Sequence, residues 1–215
     1  MGLFGYALYS PPQPVGRSTF EAVVWSSYDY SALDGVQPIP EEEFLERQRE
    51  LGRRLAKDGV DAFVAEPGGT TQYYVNVSAR EWELSERPFL MVVTPHETFI
   101  LAPLFEVSRA RMLAIPSANE TKFVTWAEGY SPVSSKRLIV DESPYEALLK
   151  TLPKKTKIIM VDDNVRTFIT NGFLLAGAGV SVQPDTIAAI RETKSPGEQA
   201  ILKAVLPNDF VDNGR

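Results

Sequence analysis

Cysteine is missing from all 215 residues, which excludes disulfides and thiolate metal sites and leaves the redox compartment open. Histidine occurs once, as His96, and a lone imidazole reads as a structural residue before it reads as a catalytic base. No apolar run approaches the ~20 residues that a membrane-spanning helix needs. No dense basic run interrupts a chain of 22 Lys and Arg against 28 Asp and Glu, net charge −6. Neither nucleic acid nor an acidic membrane surface is a suggested partner. P-loop and G-x-G-x-x-G fingerprints are absent. So is a G-x-S-x-G elbow, without which a Ser-His-Asp triad around His96 has no frame. The first residues lack the basic start and long apolar core of a secretory signal, so a cytoplasmic protein is expected.

What the chain does contain is ordinary for a soluble globular protein: 44% hydrophobic and 23% charged residues. Its length suits one domain with attachments. Residues 1–38 have no clear period. Glycines and prolines punctuate them, and seven aromatic side chains from Phe4 to Tyr30 are scattered through. They read equally as an arm with some short order or as a flexible leader.

Pro40 to Asp58 is the clearest helix. Glu41, Glu42 and Glu43 suit its start, where the macrodipole favours negative charge. Phe44, Leu45, Gln48, Leu51 and Leu55 form one stripe, Arg47, Arg49, Arg53 and Arg54 are expected to face out, and Gly59 is the stop. Asp61 to Ala65 reads as a buried strand, Gln72 to Val75 as a short aromatic strand, and Pro88 to Thr94 as a strand buried on both faces. Pro95-His96-Glu97 is a hairpin turn into a strand from Thr98. A helix over Phe105–Leu113, a strand over Lys122–Trp126, a helix from Pro144, a strand over Lys157–Val161, a helix over Asn164–Leu175 and a strand over Val180–Val182 follow. Strands alternating with helices predict an α/β fold: a mixed, mostly parallel sheet with helices on both faces.

The stretch from Ile187 to Val205 ends this pattern. Ser195 suits an N-cap, Pro196 the first helical position, and Glu198 completes a capping box. Ala200, Ile201, Ala204 and Val205 give the new helix one apolar face.

The run I-R-x-x-K-S-x-x-E-x-x-x-L-K from Ile190 resembles the interdomain linker of the creatinase, prolidase and aminopeptidase P family. L-x-x-x-G-V-D-A-F-V from Leu55 resembles the first helix–strand unit of that family's N-terminal domain. The likeness covers about Ile39 to Val205. It implies a three-layer, ribonuclease H-like α/β/α domain over 39–193, a linker helix over 194–205 and a tail over 206–215 outside the family pattern. It also implies a non-catalytic role, dimerisation and substrate gating, for an Xaa-Pro metallopeptidase. Manganese or a similar divalent metal is expected in a catalytic domain that this sequence lacks, so no catalytic or metal-binding residue is expected here. The partners implied are a second copy or a full-length relative, with a proline-containing peptide as substrate only where a catalytic domain is joined.

By the same resemblance Arg87, just before a buried strand, occupies the place of an arginine that reaches the other subunit's active site and binds the substrate carboxylate. A guanidinium can grip a carboxylate through two parallel hydrogen bonds. Trp82, on the same loop, would line a substrate pocket or a dimer contact. Creatinase has a phenylalanine where this chain has Ser85, which points away from a creatine-type substrate and towards Xaa-Pro peptides. The segment 130–143 has the look of an insertion after W-x-E-G at Trp126, or of retained non-coding sequence. A stand-alone binding protein that kept the fold is the alternative function. A small hydrolase using Asp162, Asp163 and His96 is a third, although Asp162 reads more simply as a helix cap. The sequons at Asn76 and Asn119 read as incidental.

Overall fold

Alternation along four neighbouring strands divides the interior into two cores. In the computed structural model, β1 (Ala62–Ala65) and β2 (Leu90–Val93) are buried at every position. Phe63, Ala65, Met91, Val93, Ile100, Ala102 and Met160 enter one core. Ala62, Val64, Leu90, Val92, Leu101, Ile159 and Val161 enter the other. Successive side chains of a strand point to opposite faces, so continuous apolar runs require cover on both sides. The structure describes residues 34–117, 121–127, 143–152 and 157–205. The segment 130–142, most of the N-terminal arm, the tail and Asn119 lie outside them.

The remaining strands are β3 (Thr98–Pro103), β4 (Lys122–Trp126), β5 (Ile158–Val161) and β6 (Gly179–Val182). The sheet order is β4-β3-β2-β1-β5-β6. The β1–β5, β5–β6 and β3–β4 pairs are parallel, while β1–β2 and β2–β3 are antiparallel. Among these strands only β2 runs against the rest, which bears out the mixed, mostly parallel sheet. All six lie in one compact unit, Pro38–Gly197; the described parts of a second unit are 34–37 and 198–205.

Helix α1 (Glu41–Asp58) covers the first core with Leu51 and Leu55, and α2 (Gly69–Val75) adds Tyr74 and Val75. After a 3₁₀ turn at Leu104–Glu106 comes a single-turn α3 (Val107–Ala110). Helices α4 (Pro144–Thr151) and α5 (Thr167–Leu175) cover the second core through Ala147, Leu148, Ile169 and Phe173. Three layers result. A short α6 (Asp185–Ala188), a 3₁₀ turn at Ala189–Arg191 and α7 (Pro196–Val205) complete the order. Gly59 ends α1 at φ 68°, with its N–H on the Ala56 carbonyl and the Val60 N–H on that of Leu55, so the expected glycine stop is present.

Three local expectations need correction. Gln72–Val75 is helical, not a strand. Thr70, Thr71, Tyr74 and Val75 are buried while Gln72 and Asn76 are exposed, a spacing of three to four that overrides the aromatic composition. The Thr71 hydroxyl accepts the Gly68 N–H at 2.7 Å and closes the first turn. Arg47 does not face out: it is 8% exposed, ion-paired to Glu43, donates to the Tyr73 carbonyl at 2.9 Å and lies 4.0 Å over the Tyr73 ring. The expected Phe105–Leu113 helix shrinks to α3, with Ala110 buried and Phe105 left 59% exposed.

Gly52 marks where α1 crosses the β2–β3 turn. A Cβ there would stand 3.1 Å from the Thr94 carbonyl oxygen and 3.2 Å from that of Pro95. The Thr94 side chain holds this turn closed by accepting the Glu97 N–H at 3.0 Å, so the backbone cannot yield cheaply. Gly52→Val is therefore expected to cost about 2–3 kcal/mol, read as a lower urea midpoint with an unchanged slope.

Candidate functional site

The loop carrying Arg87 is rooted in the first core. Trp82 is 2% exposed, stacks on Phe89 at 4.0 Å between ring centroids, and has the Arg109 guanidinium 4.2 Å from its own ring centroid. Arg109 also reaches the Glu81 carbonyl at 3.5 Å, and Ser78 donates its N–H to the Glu81 carboxylate at 2.6 Å. Trp82 is thus a buried anchor that fixes the start of the loop. Arg87 sits at the loop's end, three residues before β2. Its side chain is 35% exposed, pairs with the 76% exposed Glu86, and lies 5.4 Å from the Phe105 ring. Its N–H bonds the Ser85 hydroxyl at 3.1 Å. The guanidinium is therefore held on a rigid root, with an exposed counter-ion that a stronger carboxylate ligand could displace. Phe105 beside it is exposed, as are Leu84 on the same loop and Leu104 next to Phe105 in the chain.

A second cluster lies at the carboxyl ends of β1 and β5, beside the strand where the connections change direction, a common place for sites in α/β sheets. Glu66, just past β1, is 7% exposed. It accepts from the Arg166 backbone N–H at 2.9 Å, from Nε at 2.9 Å and from Nη2 at 2.5 Å. Asp162, just past β5, is 5% exposed. Its two carboxylate oxygens each stand 3.1 Å from the Thr70 hydroxyl, which in turn accepts from Arg191 Nη1 at 2.7 Å.

Burial pushes the Asp162 carboxyl above the ordinary carboxylate range, with the Thr70 hydrogen bond pulling the other way. A raised folded value means that this group's contribution to stability is full below its unfolded value and is lost as pH rises through the folded one. Ionised Asp162 is thus a cost that the fold carries at neutral pH. Burial likewise raises the hydroxyl of Tyr74, and pushes that of Tyr145 up to about 12.

The structure does not bring Asp162, Asp163 and His96, the set of the third reading, together. His96 lies in the β2–β3 turn, beside the starts of β1 and β5, since Val93 pairs with Phe63 at the amino end of β1. Asp162 and Asp163 lie past the opposite end, where Val64 pairs with Val161. Nor does Asp162 cap α5 with its side chain; Arg166 is the N-cap, and exposed Asp163 takes the Asn164 amide at 2.7 Å. Among the described residues no three His, Asp or Glu side chains form a group able to hold a metal ion. No described helix is long and apolar enough to cross a membrane.

Glu66, Thr70 and Arg166 escaped the reading of the sequence. Their partners are 92 to 121 residues away in the chain, and nothing local signals such pairings. Arg191 was visible only as part of the linker run.

No protein-family model matches the chain. A curated protein of Schizosaccharomyces pombe described as an uncharacterized peptidase is 34% identical over 178 residues, covering 78% of this chain and 36% of its own length. The crystal structure of dipeptidase PepE from Mycobacterium ulcerans superposes with a TM-score of 0.61 at 16% identity, over 76% of this chain and 40% of that one. Recombinant prolidase from Thermococcus sibiricus gives 0.52 at 16% identity, over 74% and 39%. At such identities these structures speak for the fold. The chain spans 36% to 40% of the length of these proteins.

Proposed function

We propose that this chain, which has the N-terminal domain fold of the creatinase, prolidase and aminopeptidase P family, is the non-catalytic front domain of an Xaa-Pro metallopeptidase. On this reading it dimerises and gates substrate, in the cytoplasm, and the metal and the chemistry belong to a catalytic domain. The observation that carries the reading is Arg87: a one-third exposed guanidinium on a loop rooted by buried Trp82, immediately ahead of the buried strand β2.

A loop of this kind can serve a neighbouring active site without belonging to one. Trp82 and Phe89 hold its two ends against the core, so Arg87 is presented with little conformational freedom left to lose. The exposed apolar side chains of Phe105 beside it and of Leu84 on the same loop favour contact with a second copy. The same surface supports the alternative, a stand-alone binding protein, and solution size separates the two. A dimer whose contacts include the Arg87 loop, formed by a chain without any peptidase partner in its source cells, favours the stand-alone role.

The test has two arms. The pure chain with manganese should release no proline from an Xaa-Pro dipeptide; metal-dependent turnover by the chain alone overturns the reading. In a metallopeptidase that carries this domain, Arg87→Ala should raise KM for Xaa-Pro dipeptides by ~10–100-fold with kcat much less affected, the signature of a lost carboxylate grip. An unchanged KM removes Arg87 from substrate binding.

A further inference from the structure

The chain from Ile187 to Arg191 lies across the carboxyl end of the sheet and is fastened there at three points. Ile187 is 1% exposed and belongs to the first core. The Tyr73 hydroxyl donates to the Ile190 carbonyl at 3.3 Å. Arg191 donates to the Thr70 hydroxyl at 2.7 Å, and that hydroxyl stands 3.1 Å from both oxygens of Asp162.

The third fastening differs in kind from the other two. A threonine hydroxyl has one proton. Because Arg191 can only donate, the Thr70 proton must point to Asp162. The result is a directional relay from a cation through a hydroxyl to a buried carboxylate. Beyond Arg191 the chain is exposed from Glu192 to Lys194. A fold that carries a buried, ionisable Asp162 at the mouth of its central strands uses it to hold one arginine of the departing chain.

We propose that Asp162, Thr70 and Arg191 form a lock that fastens the exit strap Ile187–Arg191 to the α/β domain and can open without unfolding the sheet. The lock fixes where the strap lies on the domain. It makes Asp162 a positioning group that acts through Arg191, with no part in chemistry. The relay joins α2, the end of β5 and the strap, so a shift of the strap requires the hydroxyl to surrender one of its two partners.

Hydrogen exchange on the whole chain tests this, comparing the wild type with Arg191→Met, Thr70→Val and Thr70→Ser. Arg191→Met leaves the Thr70–Asp162 bond intact and removes only the strap's hold. It should raise exchange at the Ile187, Ala188 and Glu192 amides, which bond to Pro184 and Ala189 carbonyls, by tenfold or more. Amides of β1 and β5 should keep wild-type protection. Thr70→Val should do the same, and Thr70→Ser should behave as wild type. Unchanged strap exchange in Arg191→Met overturns the proposal, as does an equal loss of protection in β1 and β5, which would make the relay part of the core's own stability.

Discussion

Arg166→Met is expected to destabilise the protein by about 3 kcal/mol, although Arg166 itself is one-third exposed. The loss arises at its partner. Glu66 is 5% exposed at its side chain, and the guanidinium supplies most of its hydrogen bonds through Nε and Nη2. Methionine keeps much of the stem, so packing over Phe168, where the guanidinium now stands 4.7 Å from the ring, is only partly lost. What remains to Glu66 is one backbone N–H, from residue 166 itself. Leaving a buried carboxylate without its cation costs on the order of 3–5 kcal/mol; access of water from the Arg166 side argues for the lower end. Adding Glu66→Leu should restore most of the stability, because the penalty lies in the orphaned charge and not in the absence of the pair. Urea unfolding of the two singles and the double decides it. A loss below about 1 kcal/mol in Arg166→Met would show that Glu66 finds water or another donor.

Gly172→Val is expected to cost a similar amount by a steric route. Tyr145, the second residue of α4, lays its ring directly on the backbone of α5 at Gly172, and a Cβ at that position would fall inside the ring's van der Waals envelope. The ring also stands edge-on to Phe173, 5.0 Å between centroids, and its hydroxyl reaches the Phe168 carbonyl at 3.4 Å. A side chain at 172 must therefore expel the tyrosine and open the contact between α4 and α5. Overpacking typically costs about 1–3 kcal/mol, and the lost aromatic pair adds about 0.5–1.5 kcal/mol. Valine gains little helix propensity over glycine to offset this. Tyr145→Ala combined with Gly172→Val should be less harmful than the sum of the two singles, since once the ring is gone the new side chain has room. Simple additivity would mean that the tyrosine can swing aside without loss.

The fold was largely legible because its strands announce themselves. Ala62–Ala65 and Leu90–Val93 are apolar at every position, which only a sheet covered on both faces tolerates. The acidic start and glycine stop of α1 marked that helix to within a residue. Legibility failed where tertiary contact decided the outcome. Tyr73-Tyr74-Val75 has strand composition, yet the turn closed by Thr71 makes it helical. Arg47 has the look of a surface residue, yet α2 supplies a carbonyl and an aromatic face that bury it. Asp162 looked like a cap because a carboxylate ahead of a helix usually is one, and only the fold brings Thr70 to it. The placement of Arg87 ahead of β2 followed from a likeness between sequences, and nothing in its spacing alone would have singled it out.

The connection between the two halves of the sheet bears on the order in which the molecule assembles. Strands β2 and β3 meet across the short turn at Thr94–Glu97. At the junction of β1 and β5, by contrast, the Ile158 N–H meets the Asp61 carboxylate across 97 residues of chain. Closing a loop that long rather than one of a few residues costs about 3 kcal/mol more in chain entropy. No contact across the junction can repay that before β1 is already in place. The β2–β3 hairpin and β1, with α1 and α2, are the natural early nucleus, and β5 with β6 and α5 zips on afterwards along the open side of β1. A nascent chain would thus carry an unpaired β1 edge until β5 had emerged.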